Sequence, residues 1–279
     1  MTALIGVPAV FLLFTSFTNY DRRALFTGEF SVTGLQQYVT ALSDADFWMS
    51  LARTFVFSAA LVAGSVLAGM AVAQMMTKLG TVMRYVVTFV LIFAWAMPNV
   101  ASSVVWNWLF QPGYGVVNWL LTRLRIFGDM QNTAWSNNTW LAFVCIWMLV
   151  VWQAVPYIAI TLYAASTQLD PSCVEAAQLD GAGPVRIYWQ IIVPLIRPSI
   201  MMVTMLSMIW DFNIFNQIWL VSQGGPDGST STIGVFTYST AFVDFNIAQG
   251  AAVSVITVIV LLGLTSVYIR SLLRSGEDL

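Results

Sequence analysis

The chain has 279 residues, of which 58% are hydrophobic and only 9% are charged, and its mean hydropathy is +0.78. A soluble domain usually has about a quarter charged residues, so this composition predicts a polytopic membrane protein. The formal net charge of −2 is small and spread out, which argues against a nucleic-acid partner.

The N-terminal apolar stretch is the first predicted span, and it is short. Residues 3–17 are almost entirely apolar, whereas a bilayer core about 30 Å thick needs about 20 residues of α-helix. We therefore expect the first helix to be incomplete. The stretch has no basic n-region and no small-x-small cleavage site, so it is not interpreted as a signal peptide.

The pattern of apolar segments predicts an all-α bundle of about six transmembrane helices. The last five segments are each long enough to cross a bilayer, and they lack the alternation of barrel strands. The whole chain is interpreted as one transmembrane domain with a polar insert at residues 166–198. The predicted spans are 3–18, 55–77, 85–109, 140–165, 199–221 and 249–273.

Basic residues indicate the orientation. The loop at residues 78–84 is short and carries Lys78 and Arg84, whereas the loops on the opposite side are longer. Because positive charge on short loops favours the cytoplasm, we expect this loop, the insert and the C-terminus on the cytoplasmic side.

The second span carries small residues four positions apart. Such stripes allow helix backbones to approach closely in lipid, so they predict tight packing in the bundle. The two stripes are Ala60, Gly64 and Ala68, and Ser65, Gly69 and Ala73.

Metal, disulfide and nucleotide chemistry are not expected in this chain. It has no histidine, and Cys145 and Cys173 fall in an apolar span and in the polar insert, at different depths. A disulfide, a zinc site or a haem site is therefore not predicted. The phosphate-binding pattern G-x-x-x-x-G-K-[ST] is also absent, so ATP is expected to bind elsewhere.

The polar insert has the signals of a helix–turn–helix. Asp170 and Pro171 suit the start of a helix, Gly181 and Gly183 end it, and Pro184 begins a second segment. One interpretation is an amphipathic loop at the membrane surface. The other is a helix end that enters a cleft on a partner protein, with a glutamate that accepts hydrogen bonds from a basic residue.

The stretch "EAAQLDGAGPVRIYWQIIVP", residues 175–194, resembles the EAA loop of the membrane subunits of ABC importers. That pattern is Glu-Ala-Ala, three residues, Gly, and then a hydrophobic stretch closed by Pro. We add Asp180, next to the glycine, to the candidate coupling residues. The matching residues are Glu175, Ala176, Ala177, Gly181 and Pro194.

Three further segments are similar to carbohydrate permeases, so the resemblance covers most of the chain. They are "FQPGYGVVNWLL", "FNIFNQIWLVSQGGPDGST" and "TYSTAFVDFNIAQGAAVSVI". The resemblance implies the first of two distinct permease subunits in a carbohydrate importer. Asn216 departs from it, since relatives often have Asp at that position.

The resemblance also implies what surrounds the chain. The expected partners are a second permease, two ATPase subunits that bind ATP and Mg²⁺, an extracytoplasmic sugar-binding protein and membrane lipid. The EAA loop would be the coupling helix that docks into the ATPase. The chain itself would bind no cofactor and catalyse no reaction, and it would lie in the plasma membrane of a bacterium or an archaeon.

The fifth predicted span is unusually polar. At about 100° per residue, Thr204, Ser207 and Asp211 share one stripe, and three amides share roughly the opposite stripe. Amides both donate and accept hydrogen bonds, as sugar hydroxyls require. We predict that two of the amides line the sugar pathway and that Asp211 orients a neighbour; the alternative is packing against the second permease. The amides are Asn213, Asn216 and Gln217, of which the first two are assigned to the pathway.

Two other functions stay open at this point. The first is an ABC permease for another solute, such as a polyol or glycerol phosphate. A phosphate ester would favour a buried Arg or Lys, and no basic residue lies deep in a predicted span. The second is a membrane enzyme of another kind, which would need clustered carboxylates, histidines or a metal site.

Overall fold

The structure is a computed structural model that describes residues 2–125 and 127–274. These residues form an all-α bundle, as predicted, and their only extended pairing is an isolated bridge between Thr18 and Val32. A 3₁₀ turn at Trp135–Asn137 and π-helical turns at Tyr188–Ile192 and Ser239–Val243 interrupt the α-helices. The α-helices are α1 (Thr2–Thr15), α2 (Arg22–Thr27), α3 (Gln36–Ser43), α4 (Ala45–Lys78), α5 (Thr81–Ala96), α6 (Asn99–Leu109), α7 (Val116–Leu124), α8 (Thr139–Ser166), α9 (Pro171–Leu179), α10 (Pro184–Ile187), α11 (Val193–Leu195), α12 (Arg197–Phe212), α13 (Asn216–Ser222), α14 (Ile233–Tyr238) and α15 (Ile247–Arg274).

Three helices are long and apolar enough to cross a membrane unbroken. They are α4, α8 and the part of α15 at Ile247–Arg270. Helix α4 has 34 residues and begins well before the predicted span at 55–77. Helix α1 has 14 residues, so it is shorter than a bilayer crossing.

The predicted span 85–109 is not one straight helix. Helix α5 ends at Ala96, α6 begins at Asn99, and the two are bent by 99°. Pro98 is the cause, because its ring disfavours the helical conformation at the residue before it. Met97 accordingly has an extended ψ of 129°.

The prediction of a continuous helix over 199–221 is also wrong. Helix α12 ends at Phe212 and α13 begins at Asn216. The side chain of Asn213 caps the C-terminal end of α12. Its Nδ2 donates to the carbonyl oxygen of Ile209 at 3.1 Å, so a carbonyl of the last turn has a hydrogen-bond partner. The described residues contain three unbroken candidate spans, or up to five if two bent pairs each count as one span, against about six predicted. The bent pairs are α5 with α6 and, bent by 74°, Pro184–Leu195 with α12.

The small-residue stripes lie where α4 packs against α8, the most extensive helix contact among the described residues. A Cβ added at Gly64 would overlap the indole of Trp147, and one at Gly69 would overlap Ile158. The Trp147 Nε1 donates to the Ala60 carbonyl oxygen at 2.9 Å. The prediction of tight packing is therefore confirmed for this helix pair.

Candidate functional site

The insert begins with a capped helix. The Asp170 carboxylate accepts a hydrogen bond from the backbone N–H of Ser172 at 2.9 Å, and Pro171 occupies the first turn of α9. This hydrogen bond holds the pKa of Asp170 below its ordinary value. The cap fixes where α9 starts.

Helix α9 ends in a Schellman motif. The N–H of Ala182 donates to the Ala177 carbonyl oxygen and the N–H of Gly181 to the Gln178 carbonyl oxygen, both at 3.0 Å. Gly181 has a φ of +79°, a conformation that costs little only for glycine. The glycine of the motif therefore sets the sharp turn predicted from the sequence.

The candidate coupling residues differ in exposure. Glu175, Ala176, Asp180 and Gly181 are exposed, as is Pro194 further along in α11. The second alanine of the motif is buried instead and forms the hydrophobic side of the turn.

The tip of the insert also exposes apolar side chains that sequence reasoning did not single out. Leu179 is 89% exposed at the end of α9, and Val185 is 71% exposed in α10. Trp189 lies half-exposed beside them. Exposed apolar groups on a polar loop are typical of a protein-docking surface.

The insert contacts the predicted cytoplasmic end of the bundle. A pocket of about 550 Å³ lies between them, lined among others by Glu175, Arg84 and Tyr163. The Arg84 guanidinium lies 5.6 Å from the centre of the Tyr163 ring and donates to the Leu79 carbonyl oxygen at 2.8 Å. The short basic loop and the insert thus share one side of the bundle.

The second candidate region is a cavity of about 580 Å³ between three helical walls. The first wall is the α5–α6 break, the second is the middle of α8, and the third is the α12–α13 break. Its volume is within the range of about 300–1,000 Å³ seen for small-molecule sites. The polar lining residues are Asn99, Gln153, Tyr157, Asp211, Asn213, Asn216 and Gln217.

A line of side-chain amides joins the three walls. The Nε2 of Gln217 donates to the Oε1 of Gln153 at 3.0 Å, and the Nε2 of Gln153 lies 3.5 Å from the Oδ1 of Asn99. Asn213 and Asn216 are exposed beside this line. The wall thus offers donors and acceptors in one row.

One sequence expectation about the fifth span is wrong. The structure brings Asp211 into the same cavity as Asn213, Asn216 and Gln217. The helix ends at Phe212, so the helical period that placed Asp211 opposite the amides does not continue to them. That Asp211 orients a neighbour stays a prediction; within the described residues its Oδ2 is buried and has no hydrogen-bond partner.

Sequence reasoning missed Asn99 and Gln153. Both had a signal: Asn99 follows the helix-breaking Pro98, and Gln153 is a polar residue in a long apolar run. Neither signal indicates that the side chains of the two residues lie close together.

The cavity can bind polar solutes by hydrogen bonds. Among residues 2–125 and 127–274, no group of three or more His, Cys, Asp or Glu side chains could hold a metal ion. The polar lining offers hydrogen-bond donors and acceptors that suit a hydroxyl-rich solute.

The model of the family described as "Binding-protein-dependent transport system inner membrane component" matches residues 64–274. The chain belongs to this family. It is therefore a multi-pass component of the inner membrane and a transport subunit rather than an enzyme, which overturns the alternative of a membrane enzyme.

Curated members of the family are similar over most of the chain. The diacetylchitobiose uptake system permease protein DasB of Streptomyces coelicolor is 37% identical over 275 residues, which is 99% of this chain and 84% of that one. The trehalose/maltose transport system permease protein MalF of Thermococcus litoralis is 27% identical over 96% of this chain and 90% of that one.

Solved structures share the fold of this family member. A chain of a bacterial alginate ABC transporter, crystallised with an alginate pentasaccharide-bound periplasmic protein, matches with a TM-score of 0.81 at 18% identity. The match covers 99% of this chain and 91% of that chain. A chain of the MetNI methionine ABC transporter matches with a TM-score of 0.54 and 18% identity, over 83% of this chain and 94% of that chain.

Proposed function

We propose that this permease moves a sugar or oligosaccharide, delivered by an extracytoplasmic binding protein, into the cytoplasm at the expense of ATP hydrolysed by partner subunits. The observation that carries the proposal is the amide-lined cavity where two broken helices meet α8. Broken helices facing a shared cavity are a common construction of solute sites in transporters.

The chemistry of the cavity favours a sugar. Gln153 and Gln217 provide paired amides, and Asn213 and Asn216 leave further donors and acceptors exposed. The relatives that are named as diacetylchitobiose and trehalose/maltose permeases agree with this. The whole chain then acts as one transmembrane domain.

A phosphate ester is the second candidate solute, since a relative 29% identical is named as an sn-glycerol-3-phosphate permease, UgpA of Yersinia pestis. No Lys or Arg is among the described residues that line the cavity. Phosphate recognition favours such groups, so this alternative is the weaker one.

The coupling residues Glu175, Asp180 and Gly181 would transmit ATP binding to the bundle. The exposed helix end, its fixed turn and the apolar tip at Leu179 suit insertion into a cleft on an ATPase subunit. Ala176 and Ala177 keep the helix end narrow, and Pro194 leads back to the bundle. ATP and Mg²⁺ would be bound by two such ATPase subunits.

A second permease would cover the apolar side of the bundle. No residue of α5 is buried within this chain, although its face carries Phe89, Val90 and Phe93. Lipid and a companion permease can cover this face, and alternation between two packed arrangements would open the cavity to either side in turn.

Import into proteoliposomes tests the proposal. The assembled importer should take up neutral mono-, di- or oligosaccharides when ATP and the binding protein are present. Asn213→Ala and Asn216→Ala should lower uptake while ATPase stimulated by the binding protein is retained. If no sugar of such a panel is imported, or if both variants keep wild-type uptake and preference, the proposed pathway is wrong.

A further inference from the structure

Asp211 has an unusual position for a carboxylate. Asp211 is 5% exposed and lines the cavity. Its Oδ2 is buried and has no hydrogen-bond partner among the described residues. The Ser58 hydroxyl donates at 3.0 Å to the backbone carbonyl oxygen of Asp211, not to its side chain. The backbone of Asp211 is thus held against α4, and the residue forms part of the cavity wall with its Oδ2 enclosed by protein.

Nothing in the cavity lining offsets this acidic group. The lining residues include no Lys or Arg in the part of the chain that the structure describes, and Asp211 is the only carboxylate among them. Four helix ends also meet the cavity, because α5 and α12 end there and α6 and α13 begin there. Their dipoles, about +0.5 and −0.5 of a charge, largely cancel. The remaining local charge is that of Asp211.

We propose that Asp211 makes this cavity selective for uncharged solutes over anionic ones. An uncharged sugar can donate a hydroxyl hydrogen bond to the Asp211 carboxylate in the cavity wall, and such a charge-assisted bond is strong. An acidic sugar brings a like charge into a site with no cation to receive it, which is a common way to reject a wrong partner. The inference deepens the proposed function and rests on it.

Cysteine modification measures the charge preference without any sugar. The variant is Asn216→Cys in the assembled importer with Cys173→Ser, since Cys173 is exposed and Cys145 is 1% exposed. The probes are methanethiosulfonates of similar size that carry a trimethylammonium or a sulfonate group, at pH 8. The rate with the cationic probe is divided by the rate with the anionic probe. This ratio should be about ten times larger for the protein than for a free thiol in solution.

Substitutions of the carboxylate decide the result. Asp211→Asn and Asp211→Ser should bring the ratio back to that of a free thiol, whereas Asp211→Glu should keep it. The matched control is Asp244→Asn, because Asp244 is exposed and outside the cavity lining. A ratio near that of a free thiol in the parent, or one that Asp211→Asn and Asp211→Ser leave unchanged, overturns the inference.

A transport experiment separates this inference from the proposed function. The probes are neutral diacetylchitobiose and maltose and the same disaccharides oxidised to uronates, with uptake normalised to the affinity of the binding protein. Asp211→Asn should raise the uronate-to-neutral uptake ratio about tenfold. If no sugar is imported but the thiol ratio changes as expected, the proposed function fails and the charge selection stands. If neutral sugars are imported and neither ratio changes, the charge selection alone fails.

Discussion

The coupling loop and the cavity are built in opposite ways. In the loop, the candidate coupling residues are exposed except for Ala177, and the backbone holds them through the Asp170 cap and the positive φ of Gly181. In the cavity, the polar groups meet across three helices, and side-chain hydrogen bonds such as Gln217 to Gln153 hold them. In the proposed function, the loop contacts a partner and the cavity contacts a solute.

This difference tells us which substitutions should matter in each region. In the loop, a change that leaves every contact intact but strains the backbone should abolish function. In the cavity, loss of one amide should leave unpaired polar groups and alter solute handling while the fold persists. The following predictions run from the largest expected effect to the smallest.

Gly181→Val should abolish uptake. Nothing lies within 4 Å of a Cβ added at Gly181, so the effect comes only from its φ of +79°. A left-handed conformation costs an L-residue about 1–2 kcal/mol, and more for a β-branched one. The turn should unwind and the helix end should lose its fit to the ATPase. The measurements are sugar uptake and ATPase stimulated by the binding protein.

Gly183→Val is the matched control for that prediction. Its φ is −73° and nothing lies within 4 Å of an added Cβ. Uptake close to wild type is expected. Equal loss in both glycine variants would show that the loop tolerates no bulk, rather than that it needs one left-handed residue.

Gln153→Leu should lower uptake about tenfold and leave stimulated ATPase largely intact. The change removes the acceptor of the Gln217 amide and the donor to Asn99. Leaving such groups unpaired costs about 1–3 kcal/mol, and 1.4 kcal/mol is a factor of ten. The exposed Gln168→Leu, just beyond the end of α8, is the control. Wild-type uptake in Gln153→Leu would exclude the amide line from the pathway.

Gly64→Val should lower the stability of the bundle, because it changes neither the coupling loop nor the cavity but the contact between α4 and α8. The side chain would displace the Trp147 indole from the α4–α8 contact, and overpacking typically costs about 1–3 kcal/mol. Thermal unfolding of the complex in detergent should shift downward, with sugar imported per ATP unchanged. Gly263→Val, where nothing lies within 4 Å, should leave the transition in place. Equal shifts in both would contradict the packing account.

Asp170→Ala should have the smallest effect. Loss of the cap frees the first turn of α9, so hydrogen exchange at Ser172 should become faster. Asp170→Asn should largely preserve protection. Since the hydrogen bond lowers the pKa of Asp170, its stabilisation is present above the ordinary carboxyl pKa and is lost as the pH falls through the lowered value. Protection that is unchanged in the alanine variant would rule out this cap.

The sequence predicted the loop well because its determinants are local. Asp170, Pro171 and Gly181 each act on neighbours within a few residues, so their order already specifies a capped helix and a turn. The exposed tip at Leu179 was missed, because exposure of an apolar side chain depends on what surrounds it.

The cavity was predicted only in part because its determinants are distant. Asn99 and Gln153 are 54 residues apart and meet only through folding. The 100° helix period was also extended across the break after Phe212, which placed Asp211 opposite the amides. The break at Pro98, by contrast, has a clear local signal. A proline disfavours helix at the residue before it, even within a continuous apolar segment.

The most direct test of the account is the number of sugar molecules imported per ATP hydrolysed in one reconstituted importer. Asn213→Ala with Asn216→Ala should lower this ratio, because stimulated ATPase persists while uptake falls. Gly181→Val should lower uptake and stimulated ATPase together. If the amide variants lose ATPase in parallel with uptake, or if Gly181→Val leaves both unchanged, the division of this chain into a solute cavity and a coupling loop is wrong.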